Sequence, residues 1–374
     1  MKKILVLHNI ISPARIHLFN ELNKHYHNNE STLKVFFLSK SDKNRYWKDF
    51  NIRFDYEILK NFAIRIGKKD LFTFFINPNI LSALSHNNPD KIICFGWDHF
   101  AAYAANWWAR KNKKEFILWS GSTKYEPSWR RTIFSPLVKY LFKNTDKFVV
   151  YGTRARDYII SLGVNPKNIE IIFNSIDIDY FKEKTKNLTR TEKKLITNKL
   201  GIKTSKIILF NGQLIERKGI YNLLEGFKDY HTYDPDVSLL IIGRGREKEK
   251  MKRIIKKMHL KDIIFTDFIQ YDDLYKYYSI SNLLILPSYE EVWGLVINEA
   301  MACDLPVIAT KEAGASADLI EDGKNGYIIK SANSKEITKA IKNVFENNLH
   351  LKNDSWGIIQ KTKTAANIIK STLL

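Results

Sequence analysis

The sequence predicts an α/β fold of two domains, each a parallel, doubly wound sheet covered by helices. Three observations carry that prediction. From Lys2 to about Asn174, short apolar runs alternate with longer amphipathic ones, the pattern of strands joined by covering helices. A polar, lysine-rich stretch up to Gly201 then breaks the rhythm, after which the same alternation restarts. The length, 374 residues, exceeds one ordinary domain and gives each of two a full core.

In the first half, strands are expected at Ile4–Leu7, Leu33–Leu38, Lys91–Phe95, Phe116–Trp119, Phe148–Tyr151 and Ile169–Phe173, each an apolar run too short for a helix. Helical spacing covers Ile16–Tyr26, Phe100–Lys111 and Arg154–Leu162, and Gly163 stands where a helix C-terminus favours glycine. The basic residues at Lys2 and Lys3 precede an apolar run of only strand length with no small-residue cleavage site, so Met1–His8 reads as the first core strand and not as a leader. Between Lys40 and Asn77 no period emerges; the aromatic and basic content there suits a variable insertion.

The second half repeats the scheme with strands expected at Lys206–Phe210, Ser238–Ile242, Ile263–Thr266, Leu283–Leu286, Val307–Ala309 and Tyr327–Ile329. Beyond Ser334 the chain reads as helical and basic. The composition break around Asp177 sets the boundary, giving domains at 1–178 and 179–351 and a terminal segment at 352–374.

Hydrophobic residues make up 44% of the chain and aromatic ones 13%, and no apolar run approaches the roughly 18 residues that span a bilayer. The net charge of +20 narrows the partners to nucleic acid, an anionic membrane or anionic small molecules. It is concentrated between Trp107 and Lys147, where ten basic residues face three acidic ones and tryptophans interleave. Such a mixture suits a membrane headgroup region or base stacking, and equally an ordinary solvated surface. Both cysteines, Cys94 and Cys303, fall in or beside apolar stretches, which points to buried thiols in a reducing compartment.

Chemistry concentrates between Pro287 and Pro306. A strand exit, a turn at Gly294 and a helix with Leu295, Ile297, Ala300 and Met301 on its apolar face carry two carboxylates, Glu291 on the loop and Glu299 on the helix. Backbone amides at Gly294 and Leu295, at a helix start after a parallel strand, suit an anion. From the residues alone, two solvated glutamates on a plain strand–loop–helix unit remain the alternative. Upstream, Asn211–Gly219 combines a glycine turn at Gly212 with Arg217 and Lys218 before a helix, an arrangement that places positive charge at a phosphate site. Gly243–Arg–Gly245 is a partial dinucleotide fingerprint, weakened by Lys248 where a third glycine is needed. Asp177 and Asp179 have a metal-binding spacing, for which a turn or capping role at Asp177 is the better reading.

The Pro287–Ile308 stretch resembles the Glu-x7-Glu signature of retaining GT-B glycosyltransferases of family 4, of the type that builds bacterial surface polysaccharides. It matches at Pro287, Ser288, Glu291, Trp293, Gly294, Glu299, Ala300, Met301, Ala302, Pro306, Val307 and Ile308. Asn211–Gly219 resembles the family's Gly-Arg-Leu…Lys-Gly loop at Lys218 and Gly219, with Gln213 in place of the usual arginine, so that Arg217 is expected to supply the charge. Asn174, Asp177 and Phe181 match the family's interdomain element, with Ser175 departing from its glycine. The run Ala313–Gly326 is similar to a further family motif, with Ala315 and Asp318 as departures. Phe265–Phe268 and Tyr271–Tyr278 resemble the segment that frames the nucleobase.

The resemblance implies two Rossmann-like domains with parallel sheets facing across a cleft: an acceptor-side domain at 1–178, a nucleotide-sugar domain at 179–351, and a helix at 352–374 crossing back to the first. Glu291 is then expected on the donor-sugar hydroxyls, Glu299 on the ribose, and Gly212, Arg217, Lys218, Gly294 and Leu295 around the diphosphate. The substrate is a UDP- or GDP-sugar, ADP also being open, with neither cofactor nor metal. Retention is expected by front-face transfer, the leaving phosphate taking the acceptor proton. On the acceptor side, Phe95–His99 resembles a strand end near the reacting centre, so Asp98 or His99 is a candidate to assist the acceptor, though each also suits a helix cap or a solvated position. Ser12–Phe19 resembles the Pro-x-Arg-x-x-x-Phe opening of polysaccharide transferases, with Arg15 facing an acceptor phosphate. Arg130 and Arg131, beside an amphipathic stretch at Ile133–Phe142, suit a lipid-linked glycan and peripheral contact with an anionic membrane from the cytoplasmic side, as in lipopolysaccharide synthesis. Competing readings are another GT-B enzyme, a phosphorylase or nucleotide-sugar epimerase, and a basic nucleic-acid-binding protein; against the last, the cations sit on no recognised binding module.

Overall fold

Two parallel sheets organise the chain, described by a computed structural model for residues 2–28, 31–41, 46–48, 51–66, 72–126, 135–331, 333–349 and 355–362. They belong to separate units, Met1–Phe173 and Asn174–Thr364.

In the first unit, β1 (Lys2–Ile10), β2 (Ser31–Ser39), β3 (Asp55–Ile58), β6 (Lys91–Phe95), β7 (Glu115–Ser120), β8 (Lys147–Val150) and β9 (Ile169–Ile171) form a seven-stranded parallel sheet in the order β3-β2-β1-β6-β7-β8-β9. The central strands read as unbroken apolar runs because both faces are covered. On one face lies α1 (Pro13–Asn28), burying Phe19, Leu22 and Tyr26. On the other lie α2 (Ile80–Asn87), α3 (Phe100–Lys111), α4 (Ser135–Lys143) and α5 (Thr153–Ser161). Helix α1 begins three residues before the expected Ile16, because Pro13 is tolerated in a first turn whose amides lack intrahelical partners. The unassigned stretch Lys40–Asn77 contains β3 and a separate antiparallel pair, β4 (Phe62–Ile66) with β5 (Phe72–Ile76).

The second unit carries β10 (Lys206–Asn211), β11 (Val237–Ile242), β12 (Ile263–Thr266), β13 (Leu283–Leu286), β14 (Val307–Thr310) and β15 (Gly326–Ile329), all parallel, in the order β12-β11-β10-β13-β14-β15. Its helices are α6 (Ile178–Asn187), α7 (Arg190–Lys199), α8 (Ile220–Tyr233), α9 (Lys248–Lys257), α10 (Leu274–Ile280), α11 (Leu295–Ala302), α12 (Ser316–Leu319), α13 (Ser334–Glu346) and α14 (355–362). One core, built from Phe210, Leu223, Phe227, Ile241, Ile285 and Ile341 among others, joins α8 and α13 to the sheet.

The expected polar linker up to Gly201 is corrected: α6 and α7 occupy it. Only Ile178 and Phe181 anchor α6 among lysines, too sparse a stripe to announce a helix, and Asp177 caps its start through Oδ1, which accepts the Tyr180 amide at 2.9 Å. Helix α7 is held at its start by a capping box between Thr189 and Glu192 and buries none of its residues. Of the expected crossing segment at 352–374, α14 packs on the second unit, where Ser355 donates to the Leu305 carbonyl and Ile359 is fully buried; the remainder lies outside the described residues.

Candidate active site

In a doubly wound sheet, the loops that leave the C-terminal ends of the strands on either side of the order reversal open a crevice. In the second unit the reversal lies between β10 and β13, and the two loops there are Asn211–Gly219 and Pro287–Gly294, the stretches singled out by sequence. The first is seated on the Gly-x-Gly turn after β11. The Gly212 amide donates to the Ile242 carbonyl at 3.0 Å and the Leu214 amide to the Arg244 carbonyl at 2.9 Å. Gly243 sits at φ +141°, and a β-carbon there would lie 1.9 Å from the Gly212 oxygen, so only glycine lets the two loops approach.

The cations come next. A single 3-10 turn, Glu216–Lys218, ends at Gly219, which packs so tightly on Pro287 that a β-carbon would lie 1.9 Å from its carbonyl oxygen. This contact sets both loops against each other. Arg217 is tied into the second loop twice: its Nη1 donates to the Glu290 carbonyl at 3.1 Å, and its own carbonyl accepts the Tyr289 amide at 2.8 Å. Lys218, only 9% exposed, pairs its ammonium with the Glu291 carboxylate. The structure therefore brings together the cation expected on phosphate and the carboxylate expected on sugar. Both are largely desolvated, so their attraction is screened less than that of an exposed pair. Gly294, at φ +95°, heads α11; its carbonyl accepts the Ile297 amide at 2.9 Å, and the Leu295 amide stands at the open start of the helix.

Glu299 lies on the buried side of α11. Its Oε2 accepts the Tyr278 hydroxyl at 2.6 Å, and that hydroxyl in turn accepts from Asn211 Nδ2 at 2.9 Å. The chain Asn211–Tyr278–Glu299 thus links the end of β10 to α11 through α10. Burial raises the Glu299 carboxyl to about 7, a shift that the Tyr278 bond partly opposes. Burial and the neighbouring carboxylate push the Tyr278 phenol well above its ordinary range, so it stays protonated and donates. Beside this chain, Trp293 Nε1 donates to Asn298 Oδ1 at 2.9 Å, and Asn298 Nδ2 donates to the Asn174 carbonyl at 3.1 Å. Sequence reasoning named Asn211 and Tyr278 only as ends of longer stretches, without this role, and missed Asn298. A signal for the tyrosine existed: Leu274 and Tyr278 are four apart on one helix face, and both are buried.

The first unit reverses its strand order between β1 and β6, and the expected acceptor-side residues flank that point. Arg15 is 7% exposed; its guanidinium lies 5.2 Å from the ring centroids of both Phe95 and Tyr151, and Nη2 donates to the Tyr151 hydroxyl at 2.8 Å. Phe95 stacks on Trp119 at 4.5 Å. Beside Arg15, His8 is half-buried and its pKa falls to about 3, first through desolvation of the ring and then through the guanidinium. His99 caps α3: Nδ1 accepts the Ala102 amide and Nε2 donates to the Phe95 carbonyl, both at 3.1 Å, which fixes a neutral tautomer, and burial lowers its pKa. Asp98 next to it is exposed. Arg130 and Arg131 lie outside the described residues.

Two family models match, Glycosyltransferase Family 4 over residues 23–180 and Glycosyl transferases group 1 over residues 192–362, together covering most of the chain. The chain belongs to the family 4 glycosyltransferases of GT-B architecture. Among curated members, spore coat protein SA of Bacillus subtilis is 30% identical over 166 residues, 42% of this chain and 44% of that protein. Alpha-monoglucosyldiacylglycerol synthase of Acholeplasma laidlawii is 24% identical over 227 residues, 60% of this chain and 56% of that protein. The chain thus spans about half the length of these relatives. In fold, the structure of HepE from Anabaena in complex with UDP covers 100% of this chain and 99% of its own, at 17% identity and a TM-score of 0.78.

Proposed function

We propose that this family 4 protein transfers a sugar from a nucleotide-sugar donor to a glycan acceptor with retention of anomeric configuration. The observation that carries the reading is the convergence of the Lys218–Glu291 pair and the buried Glu299 at the strand reversal of the second unit. In this reading the donor diphosphate takes the place of Glu291 as partner of Lys218, with Arg217 and the amides at Gly294 and Leu295 adding donors. Glu291, released from the lysine, holds hydroxyls of the sugar, and Glu299 accepts the two ribose hydroxyls. The anomeric carbon–oxygen bond to the diphosphate breaks, the acceptor oxygen bonds the same face of that carbon, and the acceptor proton passes to the departing phosphate oxygen. Charge on the leaving group is carried by the chain's own cations, each preorganised donor contributing on the order of 3 kcal/mol, so the mechanism calls for no metal ion.

HepE has been solved with UDP-glucose, and a UDP-hexose is the donor this reading favours. The relative from Acholeplasma laidlawii is named for a glucosylated diacylglycerol. With a net charge of +20 and two buried free thiols, the extended proposal is a lipid-linked acceptor in cell-surface polysaccharide or lipopolysaccharide synthesis, met at the cytoplasmic face of an anionic membrane. Thermal stabilisation and calorimetry against UDP, GDP, ADP and their hexose derivatives test the core claim. One nucleoside diphosphate should bind, and its release from the sugar should depend on added acceptor. Salt-steep binding of oligonucleotides with no response to any nucleotide would overturn the proposal.

A further inference from the structure

The β4–β5 hairpin stands apart from the seven-stranded sheet, and its register sets apolar residues opposite one another: Phe62 faces Ile76 and Ile64 faces Phe74. Residues directly opposite, and those two apart along a strand, share a face. On that face Phe62 is 67% exposed, Ile64 45% and Ile76 36%, whereas Phe75, of opposite parity, packs into the core of the unit. A two-stranded sheet with its apolar face in water has no stabilising use for that face within its own unit.

The hairpin does not stand alone. Strand β5 and helix α4 both neighbour α3, and all three lie on the same side of the sheet. That side also exposes Phe100 and Trp107 on α3, and Leu137 and Tyr140 on α4. On the opposite side, no large apolar side chain among the described residues of α1 is exposed. Cations are interspersed: Lys111 lies over the Trp107 ring at 5.2 Å, Lys139 and Lys143 are exposed on α4, and exposed Lys60 precedes β4.

We propose that the β4–β5 hairpin, together with the exposed edges of α3 and α4, docks the first unit on an anionic lipid surface. Aliphatic and aromatic side chains enter the headgroup boundary while lysines between them meet lipid phosphates. The lysines decide against the other occupants. Self-association through a two-fold axis would set the same cations against themselves, and the exposed Ile64, Ile76 and Leu137 that accompany the aromatic rings suit acyl chains and not nucleobases. The proposal deepens the lipid-linked acceptor reading and rests on it for what the docked protein acts upon, but docking itself is measured without substrate.

The test is flotation of the full chain with vesicles of pure phosphatidylcholine and of equimolar phosphatidylcholine and phosphatidylglycerol, at low and high salt. The parent is expected to bind the anionic vesicles, less at high salt. Phe62→Ser/Ile64→Ser should weaken partitioning by about tenfold or more, and Lys139→Glu/Lys143→Glu should remove most of its salt dependence. All variants should keep the parent's melting temperature and nucleotide response. Parent-like vesicle binding by both folded double variants overturns the proposal, as does a parent that ignores anionic vesicles, or a concentration-dependent dimer that the hairpin variant loses. A parent that docks on vesicles but answers no nucleotide would leave docking standing and remove the transferase reading instead.

Discussion

The Tyr278 hydroxyl donates to the Glu299 carboxylate at 2.6 Å inside the second unit, and Asn211 donates to the same hydroxyl. The tyrosine therefore holds the carboxylate's rotamer from behind. Tyr278→Phe keeps the ring and removes one charge-assisted bond, so nucleotide affinity should fall about tenfold, the equivalent of ~1.5 kcal/mol, with little change in melting temperature. Calorimetry on the folded variant checks this, and unchanged affinity would separate Tyr278 from nucleotide binding.

Glu299 also sets a pH dependence. With its carboxyl raised to about 7 from the ordinary 4.5, the folded chain holds this proton more tightly than the unfolded chain. Its contribution to stability is fully present below about 4.5 and is lost as pH rises through 7, amounting to about 3 kcal/mol. Glu299→Gln cannot ionise, so its melting temperature should gain on the parent's between pH 5 and pH 8, both numbers bracketing that window roughly. Ribose hydroxyls favour the carboxylate, so the parent's nucleotide affinity should rise over the same range while that of the variant stays low and flat. A stability gap that does not change with pH would mean that Glu299 is ionised throughout.

Lys218 and Glu291 form a largely desolvated pair. Lys218→Ala should lower kcat by about 10²–10³ if the ammonium stabilises a leaving diphosphate. Glu291→Ala should lower turnover more than donor affinity. In steady-state assays the double variant should be no worse than Lys218→Ala alone, because the two groups exchange partners in one event. Strict additivity would argue that they act separately.

Gly243→Ala places a β-carbon where the Gly212 carbonyl oxygen sits, in a backbone conformation that alanine rarely adopts. The variant should lose at least ~2 kcal/mol of stability and, where it still folds, should bind nucleotide weakly, because the loop before Lys218 is displaced. Chemical denaturation paired with calorimetry reads both effects.

His99 engages both ring nitrogens with backbone groups. Asparagine also caps helices, so His99→Asn should keep turnover close to the parent's and abolish no limb of the pH–rate profile. A loss of about tenfold or more in a well-folded variant would return the imidazole to the reaction.

The sheets were legible in the sequence because strands buried on both faces read as unbroken apolar runs, Leu283–Leu286 and residues 239–242 among them. Glu291, Glu299 and Lys218 were legible because their motif spacing is dense. What stayed hidden depends on contacts between segments far apart in sequence. The spacing of Leu274 and Tyr278 puts this tyrosine on the buried face of α10, but nothing local says that it reaches Glu299, and the pairing of Lys218 with Glu291 spans 73 positions. The glycines at 243 and 245 read as a partial and weakened dinucleotide fingerprint, and their close approach is to the backbone of the neighbouring loop. Helix α6 was hidden for a different reason: three lysines and two acids leave only two buried anchors in ten residues.

That helix has a practical consequence for dissecting the protein. Phe181 is fully buried with its ring 6.1 Å from that of Tyr278, Lys182 pairs with Asp304, and Thr185 donates to Cys303. The segment that resembles a tether in sequence is the rear brace of the Glu299 pocket. A nucleotide-binding fragment cut at Gly201, where the restart of the strand–helix alternation invites a boundary, would leave Tyr278 and the base of α11 open to water. A fragment begun at Asn174, where the second unit starts and whose carbonyl accepts from Asn298, keeps that brace in place.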